Sequence, residues 1–404
     1  MGAPTAIARG FQYGLGIFTL TALIGLVNAT KVVGDLNQDT LLTHLHSGTL
    51  GWITMGVLSV AAWLFAASSA TVGRYIAFTA AATAAYVLAF WSGNFPARAI
   101  FGAVELAVIV AWWLWVVSRS LAEGLGRISN PKLAILLSLT TLVIGSTFGV
   151  IIQVQLALNA VTPQTGDFIG THASAQVAGY LVLAATGIAE WFLVGERRTR
   201  GGTVQSALLF VAGLSLAMGQ LLGIQPLLLV TNVLQVAATV MVLVRLGGAI
   251  RRVDWMAADG PRYAAIVPLY LVIGVVLVVV LVQQFIAAAG DQSKISQGLI
   301  HSLDHTFFVG VMTNALFGAI LAAAKGRPRV WPWADQLVFW GLNVGVLAFT
   351  AVLVFVGSSS GAKPFAHPVA YTAPIMGLAA LLGIVTFARR LQPQRAPARV
   401  PAPA

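Results

Sequence analysis

Six histidines, His44, His46, His172, His301, His305 and His367, are the residues in this chain best suited to chemistry. A neutral imidazole offers a lone pair to a metal or a haem iron and can also carry a proton. The chain has no cysteine. That excludes disulfides, thiolate-held zinc or copper, iron–sulfur clusters and covalently attached haem, so any haem here is held non-covalently. His44 and His46 are two residues apart, about 200° around a helix, so both cannot face one ligand. His46 lies deeper and is followed by Gly48 and Gly51, which makes it the expected ligand. His44 is expected nearer the interface, as a supporting group. His301 and His305 are four apart, on nearly the same face, so both can point into one cavity. Asp304 beside them could hold an imidazole N–H. His367, before Pro368, reads as a loop or cap residue.

The elements that must position these groups are membrane helices. Of the 404 residues, 58% are hydrophobic and only 9% charged, with a mean hydropathy of +0.88. A soluble domain carries roughly a quarter charged residues, whereas a bilayer span needs about 20 apolar ones. Apolar segments are expected near 11–33, 42–68, 72–93, 97–118, 133–160, 168–194, 203–223, 226–248, 263–289, 297–324, 333–357 and 367–388. Turn signals such as Ser129-Asn130-Pro131 separate them. The fold class is therefore an all-α integral membrane protein of about twelve spans. Met1–Gly10 leads straight into the first segment and is expected to begin an anchor rather than a cleaved leader. The Pro-, Ala- and Arg-rich stretch 392–404 is expected to be a disordered cytoplasmic tail.

The net charge of +11 invites a nucleic-acid reading, but its distribution argues against one. With twelve spans, only Lys31, Arg98, Lys294 and Lys363 of the 23 basic residues fall on one side. The other nineteen share a side with both termini. Cytoplasmic loops hold such an excess because Lys and Arg resist translocation. Both termini are thus expected in the cytoplasm, the protein being multi-pass in the cell's inner (plasma) membrane.

On this topology His44 and His46 open the second span, His172 the sixth, and His301 and His305 the tenth. All five lie toward the outer face at similar depth, each on the second helix of a group of four. A single 12-helix domain, 1–391, is expected, with units 1–130, 131–260 and 261–391. Histidine inside a span is uncommon and usually faces the bundle interior with a functional partner, so five at one depth point to cofactor ligation. Glu105, flanked by Val104 and Leu106, suits a proton relay or a partner for a histidine. Glu190 is expected to snorkel at the cytoplasmic end of the sixth span. Trp112, Trp113 and Trp115 read as an interface belt.

The twelve spans, the threefold grouping and the segment Thr43-His44-Leu45-His46-Ser47-Gly48-Thr49-Leu50-Gly51-Trp52 resemble the heme–copper oxidase superfamily, specifically its subunit I. The resemblance implies three four-helix arcs. It implies a low-spin haem b on His46 and His305, with His172 where the family's helix 6 supplies a copper ligand. His301 would then serve a second haem or metal facing His172. The chain departs from the family at several points. The seventh segment, 203–223, lacks the family's adjacent copper-binding histidines, and the tenth has His-x-x-x-His in place of His-x-His. Gln176 stands where many family members carry a tyrosine one turn after the helix-6 histidine. A three-His copper site is therefore not supported, and the chain is similar in this loss to the NnrS-type haem proteins linked to nitric oxide stress.

The reading that follows is a membrane-integral b-type haem protein, with one haem or two, acting in electron transfer or in binding and reducing nitric oxide or oxygen. Its partners would be the lipid bilayer and an external electron donor or partner subunit, with no nucleic acid. Arg98 and Lys294 are the cations expected near the haem propionates. One rival is an active oxidase or nitric oxide reductase subunit with an unusual second metal site. The other is a proton-coupled secondary transporter, although its twofold repeats fit the threefold grouping poorly.

Overall fold

The structure, a computed structural model, describes residues 3–66, 70–288 and 294–392. Of the expected tail, everything beyond Gln392 lies outside the described residues. Among the described residues, twelve helices are long and apolar enough to cross a bilayer: span 1 (Thr5–Thr30), span 2 (Gln38–Leu64), span 3 (Ala70–Trp91), span 4 (Phe95–Glu123), span 5 (Asn130–Ala157), span 6 (Gln164–Val194), span 7 (Arg200–Leu222), span 8 (Gln225–Ile250), span 9 (Gly260–Ala287), span 10 (Gln297–Ala323), span 11 (Ala334–Phe355) and span 12 (Val369–Arg390). No strand occurs among the described residues. This is an all-α, multi-pass membrane protein. Several helices overrun their apolar windows, because hydropathy registers the hydrocarbon slab while the helix continues into the interface. Span 4, for example, starts on an Asn94 cap whose side chain accepts from the Ala97 N–H at 2.9 Å.

Spans 2, 6 and 10 form the centre. Their most apolar windows are 72 to 83% buried, against 33 to 50% for the other nine spans. The outer helices turn rows of Leu and Val outward, such as Leu88, Val233 and Val244, where lipid tails solvate them. Around the centre the packing is cyclic. Span 4 lies on span 5, span 8 on span 9, and span 12 closes on span 1.

Each central helix is α-helical, then π-helical, then α-helical again. The π segments are Ser47–Thr54, Ala175–Leu181 and Thr306–Thr313. A π turn inserts an extra residue into the α ladder and is frequent at functional sites. The fifth residue of each is a glycine, Gly51, Gly179 and Gly310, pressed on a neighbouring helix. A Cβ on Gly51, for instance, would lie 2.1 Å from Ile17 Cγ2.

The end carrying both termini is held by buried polar nodes. Glu190 does not snorkel. It is 3% exposed, ion-paired to Arg245 of span 8, and accepts from Asn130 Nδ2 at 3.0 Å. A charge buried this far inside the bundle requires such partners. Trp112 of span 4 is no belt residue: it is buried and donates to Thr79 of span 3, and Trp113 donates to Thr140 of span 5, both at 3.0 Å. Indole N–H groups that lack water bridge helices instead.

Candidate functional site

The N-terminal turns of span 2 are capped by Asn37, whose side chain accepts from the Thr40 N–H at 2.8 Å. Two turns in, His44 reaches span 1, its Nδ1 2.9 Å from the Thr21 carbonyl oxygen. A carbonyl only accepts, so this bond fixes the proton on Nδ1 and leaves the Nε2 lone pair free. Thr21 is held in turn by a 2.7 Å hydroxyl–hydroxyl bond to Ser47. Gly25 makes room for the ring: a Cβ there would sit 2.9 Å from His44 Cε1.

Across a cavity stands His305 of span 10. Its Nδ1 is 2.8 Å from the His301 carbonyl oxygen, one turn back on its own helix, which again frees Nε2. Phe349 of span 11 lies against it with ring centres 4.5 Å apart. The His44 and His305 ring centres are 6.5 Å apart. The cavity they share is about 490 Å³, walled by spans 1, 2, 10, 11 and 12. Its floor is aromatic: Phe18 stacks on Trp52, and the Trp52 indole N–H donates to Thr313 at 3.0 Å.

Polar groups rim the mouth, which lies at the end opposite the termini: Asn28, Lys31, Asp35, His301, Asp304 and the loop 358–360. The Lys31 ammonium is buried and donates to Asp35 at 2.6 Å and Asn28 at 3.1 Å. The Gly361 N–H also donates to Asp35, at 3.0 Å, tying the loop after span 1 to the loop after span 11. The Lys31 bond and then the Gly361 bond hold the Asp35 carboxyl below the usual carboxylate range. It therefore remains ionised, and the pair remains intact, well below neutral pH.

The partners expected from sequence are thus rearranged. His305 is paired with His44, not His46, because the 200° between the two span-2 histidines sets His46 on another face, against Phe90 and Tyr86 of span 3. His301 does not reach across to His172. Sharing a helix face with His305, it stands at the mouth of the same cavity near Lys31. Asp304 lines that cavity too, but the His301 carbonyl holds the His305 imidazole in its stead. Neither cation proposed for the mouth is there among its lining groups; Lys31 is. Arg98 instead lies beyond Phe90, bonded to the Phe90 carbonyl and ion-paired with Asp39.

His46 packs face to face on Phe90 of span 3, ring centres 3.8 Å apart, and its Nδ1 is 2.8 Å from the Leu42 carbonyl oxygen. His172 is its electrostatic neighbour across the span 2–span 6 interface. The His172 Nδ1 is 2.7 Å from the Gly145 carbonyl oxygen. Gln176, one turn on, donates to Ser146 of span 5 at 3.3 Å. Glu105 is buried and accepts from the Thr83 hydroxyl at 2.9 Å. Its second oxygen has no hydrogen-bond partner among the described residues. Tyr86, which packs against His46, is its electrostatic neighbour. Outside these sites, His367 accepts from the Val369 N–H at 3.3 Å, at the start of span 12.

Chemically, the His44–His305 arrangement offers two imidazoles on one cavity, each with Nδ1 bonded to a carbonyl and Nε2 left as the lone-pair nitrogen. Among the described residues no three His, Asp or Glu side chains converge as a bare ion would need. Two facing imidazoles suit instead a metal that brings its own in-plane donors, as an iron porphyrin does. No protein-family model matches this sequence, and comparison with curated proteins finds no relative.

Proposed function

We propose that the protein is a membrane-integral b-type cytochrome in which His44 and His305 hold a haem between spans 2 and 10, and that its work is electron transfer. One observation carries this reading: two imidazoles 6.5 Å apart at their ring centres, each with Nδ1 committed to a backbone carbonyl. With metal–nitrogen bonds of about 2 Å, two imidazoles on opposite sides of one metal have ring centres about 6.3 Å apart. The cavity supports it in shape, with apolar walls, an aromatic floor and a rim that holds a cation. At that rim Lys31 can meet the haem carboxylates.

A bound haem supplies one-electron chemistry, its potential set by the axial imidazoles and the low-dielectric pocket. A haem held by both His44 and His305 would have no position left for nitric oxide or oxygen. That favours electron transfer over gas reduction. The positive-inside charge pattern supports a site toward the outer face of the cell membrane. With no covalent haem and no thiolate metal centre in the chain, electrons must come from an external donor or partner subunit.

The test is a reduced-minus-oxidised optical spectrum with pyridine haemochrome quantitation, on wild type and on His44→Ala and His305→Ala. The expected result is a b-type low-spin spectrum in the wild type, with one low-spin haem per chain fewer in either variant. Wild-type protein made with ample haem that contains none would overturn the proposal.

A further inference from the structure

We infer that the interface between spans 2 and 6 is a second bis-imidazole haem site, with His46 and His172 as its axial pair. This rests on the haem reading of the first site and extends it through the internal repeat. The three π segments superimpose in sequence without a gap when aligned on Gly51, Gly179 and Gly310. Three positions before the segment stand His44, His172 and Leu303. One position before stand His46, Ser174 and His305.

At the first site, the span-2 residue of the outer position (His44) faces the span-10 residue of the inner position (His305). One step around the ring, the same rule joins the span-6 outer residue, His172, to the span-2 inner residue, His46. The last step joins Leu303 to Ser174, which cannot ligate. The repeat thus provides two sites and abolishes the third.

The surroundings repeat with the histidines. Both outer histidines bond through Nδ1 to a carbonyl of the preceding helix, Thr21 of span 1 and Gly145 of span 5. Four residues on, each of those helices has a glycine under the ring. Cβ atoms on Gly25 and Gly149 would each lie 2.9 Å from the imidazole Cε1. Both inner histidines bond through Nδ1 to the carbonyl four residues back, Leu42 and His301, and lie on a phenylalanine, Phe90 and Phe349.

The floors repeat as well. At the first site Trp52 donates to Thr313. At the second the Tyr180 hydroxyl, at the position matching Trp52, donates at 3.2 Å to Thr54, the counterpart of Thr313. The third interface has Val311 and Val182 at these positions. An accidental pair of histidines would not bring along the tautomer-fixing carbonyl, the glycine hollow, the ring beneath and the floor bond in the same register.

The experiment counts haems on the purified full chain, by pyridine haemochrome and by low-spin ferric signals in electron paramagnetic resonance. The wild type is expected to hold two per chain. His46→Ala and His172→Ala should each reduce the low-spin signal from two to one, and His44→Ala and His305→Ala should each remove the other one. His46→Met keeps an axial donor and should convert one signal to a His/Met type, which guards against a variant that fails to fold. One haem per chain, indifferent to His46 and His172 substitutions, overturns the second site and leaves the first standing. No haem at all overturns the first reading instead. Two unchanged low-spin signals in His46→Met also overturn the assignment.

Discussion

A neutral imidazole can carry its proton on either nitrogen, and in this protein the backbone decides which. At His44, His46, His172 and His305 a carbonyl 2.7 to 2.9 Å from Nδ1 accepts a hydrogen bond from that nitrogen and holds the proton there, leaving the Nε2 lone pair for a metal. Such preorganisation is what metal-ligating histidines need, and it costs nothing further at the moment of binding. Steric room matters as much as the tautomer. Gly25→Val would drive a branched side chain into the His44 ring, whose nearest atom is already 2.9 Å from a bare Cβ. The low-spin haem signal assigned to His44 and His305 is expected to fall to less than half of the wild-type value. Gly16→Val, at a position of the same helix with nothing within 4 Å, should leave it unchanged; equal loss in both would show that helix stability and not ring clearance is at issue. The types and common depth of these histidines were legible in the sequence. Their pairing was not, since His46 was preferred for being deeper. Depth says nothing about azimuth, and only the neighbours on spans 6 and 10 decide which way each ring faces. Lys31 was overlooked for a related reason, since its burial at the cavity mouth depends on a loop 326 residues away from its partner Asp35.

At the scale of the element, the π segments set the register on which both proposed sites depend. Their sequence signal was present in the common glycine. The histidines alone do not reveal it, because the outer and inner positions are filled differently in each span. Hydropathy gave the spans themselves reliably, since lipid imposes one length and one polarity on every helix. It carries no information on a local change from four-residue to five-residue hydrogen bonding. Two threonines end these segments, and each works twice. Thr313 donates to the Phe308 carbonyl at 2.9 Å and accepts from Trp52, while Thr54 donates to the Thr49 carbonyl at 3.0 Å and accepts from Tyr180. Thr313→Val keeps the shape but strands the Trp52 N–H, which is buried at 1% exposure. Leaving a buried donor unsatisfied costs about 1–3 kcal/mol. A fall in thermal stability of detergent-solubilised protein by that amount is expected. An unchanged unfolding midpoint would mean that the indole finds another acceptor and that this floor bond does not join spans 2 and 10.

At the scale of the molecule, the two ends of the bundle differ in charge and in content. The end with the termini holds seventeen of the 21 basic residues that the structure describes, along with the buried nodes around Glu190 and Asp335. At Asp335 the Arg329 and Arg390 side chains approach to 3.6 Å and Arg262 donates to the backbone carbonyl at 2.6 Å. The opposite end holds the histidines, the cavity mouth and few cations. If Lys and Arg resist translocation here as elsewhere, the cavity opens to the cell exterior, the side from which the proposed electron donor would approach. A chain without cysteine lets this be tested directly with single introduced thiols. Ser360 is exposed in the loop beside the mouth, and Gly126 is exposed in the loop between spans 4 and 5 with nothing within 4 Å of its Cβ position. In intact cells, or spheroplasts where an outer membrane intervenes, a membrane-impermeant maleimide is expected to label Ser360→Cys and to spare Gly126→Cys until the membrane is broken. The reverse pattern would turn the molecule over and place the donor in the cytoplasm. It would leave the histidine pairing untouched, because that pairing rests on helix register and not on which side of the membrane the helices begin.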